Sequence, residues 1–188
     1  MLSYYLHGIP YTPNKETVKS IGKARAQAGF TKVRIKQKSF SDARKLAKSD
    51  IGIFTQRDLF MLGLGLYIGE GSKTQDIIRV VNTDYRVVNL FIRWLCTMGY
   101  TIKNFTIRVH LYPDSNITDA ESFWSTKTGL PLSQFQKVYI DQRVNKDRKR
   151  NAKHIHGTAH VTVRSNGKKL LGVLFSRRIG AWMEEVLR

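Results

Sequence analysis

The chain has 188 residues, with 32 Lys or Arg against 14 Asp or Glu and a formal net charge of +18 at pH 7. That length suits one domain with an appendage, or two small domains. The charge points to a polyanion, nucleic acid first, with a ribosomal protein the competitor on charge alone. The single cysteine, Cys96, excludes an internal disulfide and fits a reduced, intracellular (cytoplasmic) setting, nucleoid-associated if the source is bacterial.

Taken in order, residues 1–13 are aromatic and broken by Pro10 and Pro13, which reads as a loop or arm. No basic leader with an apolar signal core opens the chain, so export is not expected. Residues 14–50 carry eleven Lys or Arg and three acids, a net +8. Lys15, Lys19, Lys23 and Arg25 lie on a helix-compatible run. Lys32, Arg34, Lys36 and Lys38 alternate with Val33 and Ile35, which predicts a strand or an extended arm. Gly22 and Gly29 argue against one long helix. With nothing nearby to balance the charge, the segment is expected to clamp phosphates. The division expected is a basic arm or helical extension over 1–54 and a folded domain over 55–188.

Ten uncharged, mostly apolar residues then run from Leu59 to Ile68, with Arg57 and Asp58 before them and Glu70 after. A membrane span needs about 20 apolar residues, so ten make a buried helix instead. Thr55 caps its start, with Asp58 three residues on as a variant of the capping box. Leu62, Gly65, Leu66 and Gly69 share one face at helical spacing. The two glycines on that face would let another backbone approach closely, so the glycine side is expected to pack on a second helix.

Beyond it, 76–82 reads as a short strand. Asn82 or Thr83 caps a helix from Asp84 to Met98, with Val87, Val88, Phe91, Ile92 and Leu95 buried and Gly99 ending it. A strand over 104–112 sends Ile107, Val109 and Leu111 inward and Arg108, His110 and Tyr112 outward. Thr118 to Glu121 forms a capping box for a helix through Thr128, stopped by Gly129 and Pro131. Phe135 to Asp141 is a strand with Lys137 and Tyr139 on one face. Residues 143–153, with Arg148, Lys149 and Arg150, form a basic loop. Gly157 to Arg164 is a strand with Ala159, Val161 and Val163 inward and His160, Thr162 and Arg164 outward. The tail is helical with Leu170, Leu171, Leu174, Trp182 and Val186 as core candidates and a break at Gly180. Each strand thus has one apolar face for helices and one basic, hydrogen-bonding face. The fold class expected is α+β, a mostly antiparallel sheet with helices on one face and a DNA-facing surface on the other.

The string LGLGLYIGEGSK, Leu62 to Lys73, resembles the LAGLIDADG motif of homing endonucleases. Looser likeness to bacterial LAGLIDADG-like proteins of unassigned role runs through Asn82-Thr-Asp84, His110-Leu-Tyr-Pro-Asp114, Phe123-Trp124, Gly129-Leu-Pro131 and Gly157-Thr158. Gly65 and Gly69 fall where that family packs two motif helices together. Glu70 falls on its catalytic acid, which holds a divalent metal, Mg2+ or Mn2+, at the helix tip beside Gly69. Ile68 stands where the commoner motif has an acid, which leaves Glu70 alone. The resemblance implies a homodimeric, metal-dependent, site-specific DNA endonuclease, a hydrolase of phosphodiesters with Glu70 as metal ligand. The family also uses a basic residue near the metal, for which strand parity offers Lys137 or Arg108. The nucleic-acid contacts expected are Lys32, Arg34, Lys36, Arg108, His110, Lys137, Tyr139, Arg148, Lys149, Arg150, His160 and Arg164. Two other classes remain open: a regulator that binds DNA without cutting it, and an RNA-binding splicing helper (maturase).

His154, His156 and His160 share strand parity, but no Cys or acid stands at ligand spacing and the neighbours are basic, so phosphate or base contact is expected there rather than zinc. Asp76 and Asp84 read either as secondary metal ligands or as turn and helix-start acids.

Overall fold

The computed structural model describes residues 14–73, 76–142 and 155–188. The chain divides between Phe54 and Thr55 into two compact units.

Among its described residues the first unit is one helix, α1, Lys15–Ile51, 37 residues long with none buried. The Asn14 side chain caps it, accepting from the Glu16 N–H at 2.9 Å, and it ends at Gly52, whose φ of +58° suits a residue without a Cβ. This replaces the strand or extended arm expected around Lys32 to Lys38. Alternation over seven residues is a weak signal where no face is buried. Val18, Val33, Phe40 and Ile51 fall on one side at helical spacing, but Ile21, Phe30, Ile35 and Leu46 do not, so the helix rests on the intrinsic propensity of its many Lys, Arg, Ala and Gln residues. Gly22 and Gly29 do not interrupt it. Each costs only its intrinsic ~1 kcal/mol against Ala.

The second unit starts with α2, Gln56–Glu70. Asp58 donates its N–H to Thr55 Oγ1 at 3.2 Å, and Thr55 donates its own to Asp58 Oδ2 at 2.8 Å, closing the capping box. The elements that follow are β1 Arg79–Asn82, α3 Tyr85–Thr97, β2 Phe105–Leu111, α4 Ile117–Thr128, β3 Tyr139–Ile140, β4 Thr158–Val163 and α5 Val173–Val186. The sheet order is β1-β4-β2-β3. β4 runs antiparallel to both β1 and β2, whereas β3 is parallel to β2. The class is α+β with a mixed sheet. The parallel pair follows from the chain itself, because α4 lies between β2 and β3 and a helical crossover returns the chain in the same direction.

One face of the sheet carries Val80, Phe105, Ile107, Val109, Leu111, Ala159 and Val161, all buried. Against them pack Phe91, Trp94 and Leu95 of α3, Trp124 of α4, Leu64 and Tyr67 of α2, and Phe175 and Ile179 of α5. The α2–α3 contact depends on Gly63. A Cβ there would lie 2.1 Å from Trp94 Cγ, so only glycine lets the indole seat against the helix. The close approach is thus made by Gly63, within the chain. Gly65 and Gly69 face open space.

Several local expectations are corrected. Asp84, not Asn82 or Thr83, caps α3, accepting from the Arg86 N–H at 2.8 Å. Asn82 instead accepts the Asp84 N–H, two residues earlier in the turn. Asn116 caps α4 in place of Thr118 by accepting the Asp119 N–H. The strand expected over Phe135 to Asp141 shrinks to Tyr139–Ile140, with one isolated parallel bridge from Phe135 to Ile107. Lys137 therefore stands between, not on, paired strand positions. Gly180 lies inside a continuous α5. Leu170, Leu174 and Val186 are exposed, and Phe175 and Ile179 take the core places. The phase of the tail differs because Leu170 belongs to a short 3-10 turn rather than to the helix.

Candidate nucleic-acid interface

The face of the sheet away from the helices is set by strand alternation and register. Arg79, Thr162 and Thr106 stand in one cross-strand row. Val81, His160 and Arg108 form the next, and Thr158, His110 and Tyr139 the third. Opposite residues in such rows have Cβ atoms about 4.5–5.5 Å apart, so the side chains touch or nearly touch. Arg79 Nε donates to Thr162 Oγ1 at 3.0 Å, which fixes the guanidinium over its row. Arg108 is exposed. The His110 and His160 rings stack face to face, centroids 3.6 Å apart at 14°. Tyr139 follows at 4.7 Å from His110, tilted by 39°.

Burial, then the neighbouring His110 and the Arg79 and Arg108 charges, push the His160 imidazole down to about 4. Burial and the Arg108 charge lower His110 as well, with Asp141 opposing them. Both rings are therefore neutral near pH 7, and the fixed positive charge of this face comes from the arginines. Arg164, just past β4, is exposed and is held by its backbone: its N–H donates to Asn104 O at 2.7 Å, and Asn104 Nδ2 donates back to Arg164 O.

Glu70 ends α2 and is exposed. The chain leaves the helix through Gly71, whose N–H donates to Tyr67 O at 2.9 Å. Tyr67 is buried, and its hydroxyl donates to Ser72 O at 2.7 Å. Gly71 bridges Val80, and the Ser72 N–H donates to Arg79 O. The segment after Glu70 thus runs along the free edge of β1, the strand that carries Arg79. On the same helix Met61, Leu62, Gly65 and Gly69 are exposed, and Leu66 and Ile68 are half-buried.

An exposed carboxylate beside the unpaired carbonyls of a helix end is an all-oxygen donor set. Magnesium and manganese accept such a set, usually with one or two carboxylates, several waters and substrate phosphates. Among the described residues no group of three His, Cys, Asp or Glu could hold a metal. Glu70 with the Gly69 carbonyl therefore suits a hydrated cation completed by other ligands, not a closed cage.

Other expected site residues are dispersed. Lys32 and Lys36 share one side of α1 and Arg34 lies opposite, because a two-residue step turns a helix by about 200°. Arg148, Lys149, Arg150 and His154 lie outside the described residues. His156 does not join His160: its ring stacks on Phe123 at 3.9 Å, and its Nδ1 lies 3.5 Å from Asp119 Oδ2. Asp84 pairs with Arg86, and Asp76 lies 3.7 Å from Arg177. Arg79 is a site residue that the sequence reading missed. Its signal is there, since it precedes the buried Val80 and must point to the opposite face.

Compared with family models, with curated proteins and with solved structures, the chain gives no significant match.

Among the described residues no helix is long and apolar enough to cross a membrane.

Proposed function

We propose that the protein binds duplex DNA across the outward face of its sheet and, as a homodimer, cleaves it with a divalent metal. The observation that carries this reading is the registered face of Arg79, Arg108, His110, His160, Tyr139 and Thr162, bordered by the strand edge along which the chain leaves Glu70. A twisted sheet of this width fits a DNA groove, with cations meeting phosphates and polar side chains meeting base edges. The likeness of Leu62 to Lys73 to the LAGLIDADG motif supports the same assignment.

The second copy is drawn from the exposed side of α2. Met61, Leu62 and Gly65 form an apolar strip in which the bare glycine allows a close helix–helix approach. Pairing there would bring two Glu70 side chains near one axis. Two such carboxylates repel unless a cation lies between them. Glu70 and the Gly69 carbonyl would hold Mg2+ or Mn2+. When bound, that ion supplies Lewis acidity to the phosphate and lowers the pKa of an attacking water. Arg79 and Arg108 orient the backbone over the sheet and neutralise its charge. Lys137, exposed two residues before Tyr139, stands as the basic residue near the reacting phosphate. On α1, eleven Lys or Arg against three acids add phosphate contacts that carry no sequence information.

The test is incubation with a library of duplex DNA in Mg2+ or in chelator, for the parent and Glu70→Gln. The expected result is metal-dependent cutting by the parent, loss of cutting by Glu70→Gln, and equal DNA binding by both in chelator. Equal cutting by both proteins would remove Glu70 as metal ligand. Binding without cutting would make the chain a DNA-binding regulator, a reading favoured by the lone carboxylate at the helix tip. Preference for structured RNA over duplex DNA at matched salt would make it an RNA-binding helper.

A further inference from the structure

We infer that His110, His160, Arg79 and Arg108 form a phosphate site at the centre of the sheet face that takes up protons as it fills. This rests on the reading of that face as a nucleic-acid surface, and adds to it a ligand group and a dependence on pH.

Two rings stacked at 3.6 Å each lose one face, and Tyr139 at 4.7 Å stands toward the other face of His110, so the nitrogen-bearing edges are what both rings offer a ligand. An imidazole edge carries nitrogens, each a donor once the ring is protonated. Two such edges side by side match a group with several acceptor oxygens around one centre, which describes a phosphate. A nucleobase would need a free ring face to stack on, and His110 has none, with His160 on one side and Tyr139 toward the other. Arg108 stands directly opposite His160 in the register, and Arg79 is one row away, fixed by Thr162. Tyr139 closes the third side, next to His110.

The free site is self-opposing. The charged groups facing the two rings are Arg79 from β1, Arg108 from β2 and Asp141 after β3, with Tyr139 the remaining titratable neighbour. Burial first, then the neighbouring imidazole and the two arginines, keep the rings neutral and hold His160 at about 4. A phosphate between them reverses the sign of the local field, so each ring gains a proton and a second donor. Linkage then requires that binding strengthen as pH falls. The ligand chemistry could come from the nucleic-acid backbone or from free phosphate, and the sheet-wide row of cations favours the backbone.

The experiment follows the imidazole C2–H resonances of the full chain against pH in phosphate-free buffer. It is then repeated with inorganic phosphate, and again with a short duplex DNA. His160 is expected to titrate near 4 alone and to move up by about one unit or more with duplex DNA. In parallel, DNA affinity is measured from pH 7.5 downward. It should rise by up to about tenfold per pH unit for each proton taken up. His110→Gln and His160→Gln should each flatten this rise, and His156→Gln should not. Resonances that do not move with either ligand, on a protein that does bind DNA, would overturn the site and leave the DNA-binding reading intact. Movement with inorganic phosphate alone would overturn the assignment to the backbone. A parent that binds no DNA at any pH would instead overturn the reading on which the site rests. The titration of the parent needs no variant to fold.

Discussion

Gly63 and Trp94 show how one residue sets the frame for the site. The indole is fully buried, and a methyl group on Gly63 would sit 2.1 Å from its Cγ. Gly63→Ala should therefore lower stability by about 1–3 kcal/mol through overpacking, read as a lower unfolding midpoint. Tyr67→Phe removes the hydroxyl that donates to Ser72 O. A cost of about 0.5–1.5 kcal/mol is expected, together with faster amide exchange at Ser72, whose N–H holds the strand after Glu70 to Arg79. The two stacked histidines give a pH dependence of opposite sense to that of a salt-bridged histidine. Their folded pKa values lie below the ordinary 6.5, that of His160 at about 4. Between those limits the unfolded chain binds protons that the folded one refuses. The stability they contribute is complete above 6.5 and declines as pH falls toward 4. Thermal melts in phosphate-free buffer should show that decline, and His160→Gln should lessen it. A flat profile over the window would remove the buried, charge-opposed environment assigned to the pair.

At the scale of elements, α1 and α2 present opposite cases. α1 buries nothing and carries a net +8, so its removal should leave the second unit folded. DNA affinity should fall across all sequences, and the log–log salt slope should drop by about 0.9 for each phosphate that α1 no longer neutralises. An unchanged slope would show that α1 does not touch phosphates. α2 is apolar almost all round, and its own domain buries Leu59, Gly63, Leu64 and Tyr67, half-buries Phe60, Leu66 and Ile68, and leaves Met61, Leu62, Gly65 and Gly69 exposed. A helix of this composition is normally covered on more sides. Gly65→Leu adds bulk where, among the described residues, nothing beyond its own stretch of helix lies within 4 Å of the new Cβ. Sedimentation should give a dimer for the parent and a monomer for the variant, with the fold of each chain intact. A monomeric parent would remove the shared metal site.

For the whole molecule, the sequence by itself settled what is local and periodic. The capping box at Thr55, the inward and outward parities of β2 and β4, the Gly129 stop and the buried stripe of α3 all depend on residues within one or two turns or along one strand. Outward placement of Arg108, His110 and His160 followed from the same alternation. It could not say that β4 inserts between β1 and β2, since strand order depends on which apolar faces fit together across the core. The stacking of His110 on His160, fifty residues apart, is a product of that order, as is the row of Arg79 with Thr162. The same limit explains the glycines. Periodicity placed Gly65 and Gly69 on a contact face, yet which glycine a neighbour needs depends on where Trp94 lands, and Trp94 lands on Gly63. For α1 the error ran the other way: a short alternating stretch suggested a strand, and a helix of 37 residues prevailed, because good helix formers fill it and each added residue contributes another hydrogen bond to a helix already nucleated. Composition and period therefore determined the charge, the class and the facing of side chains. Tertiary packing alone decided which of those side chains meet.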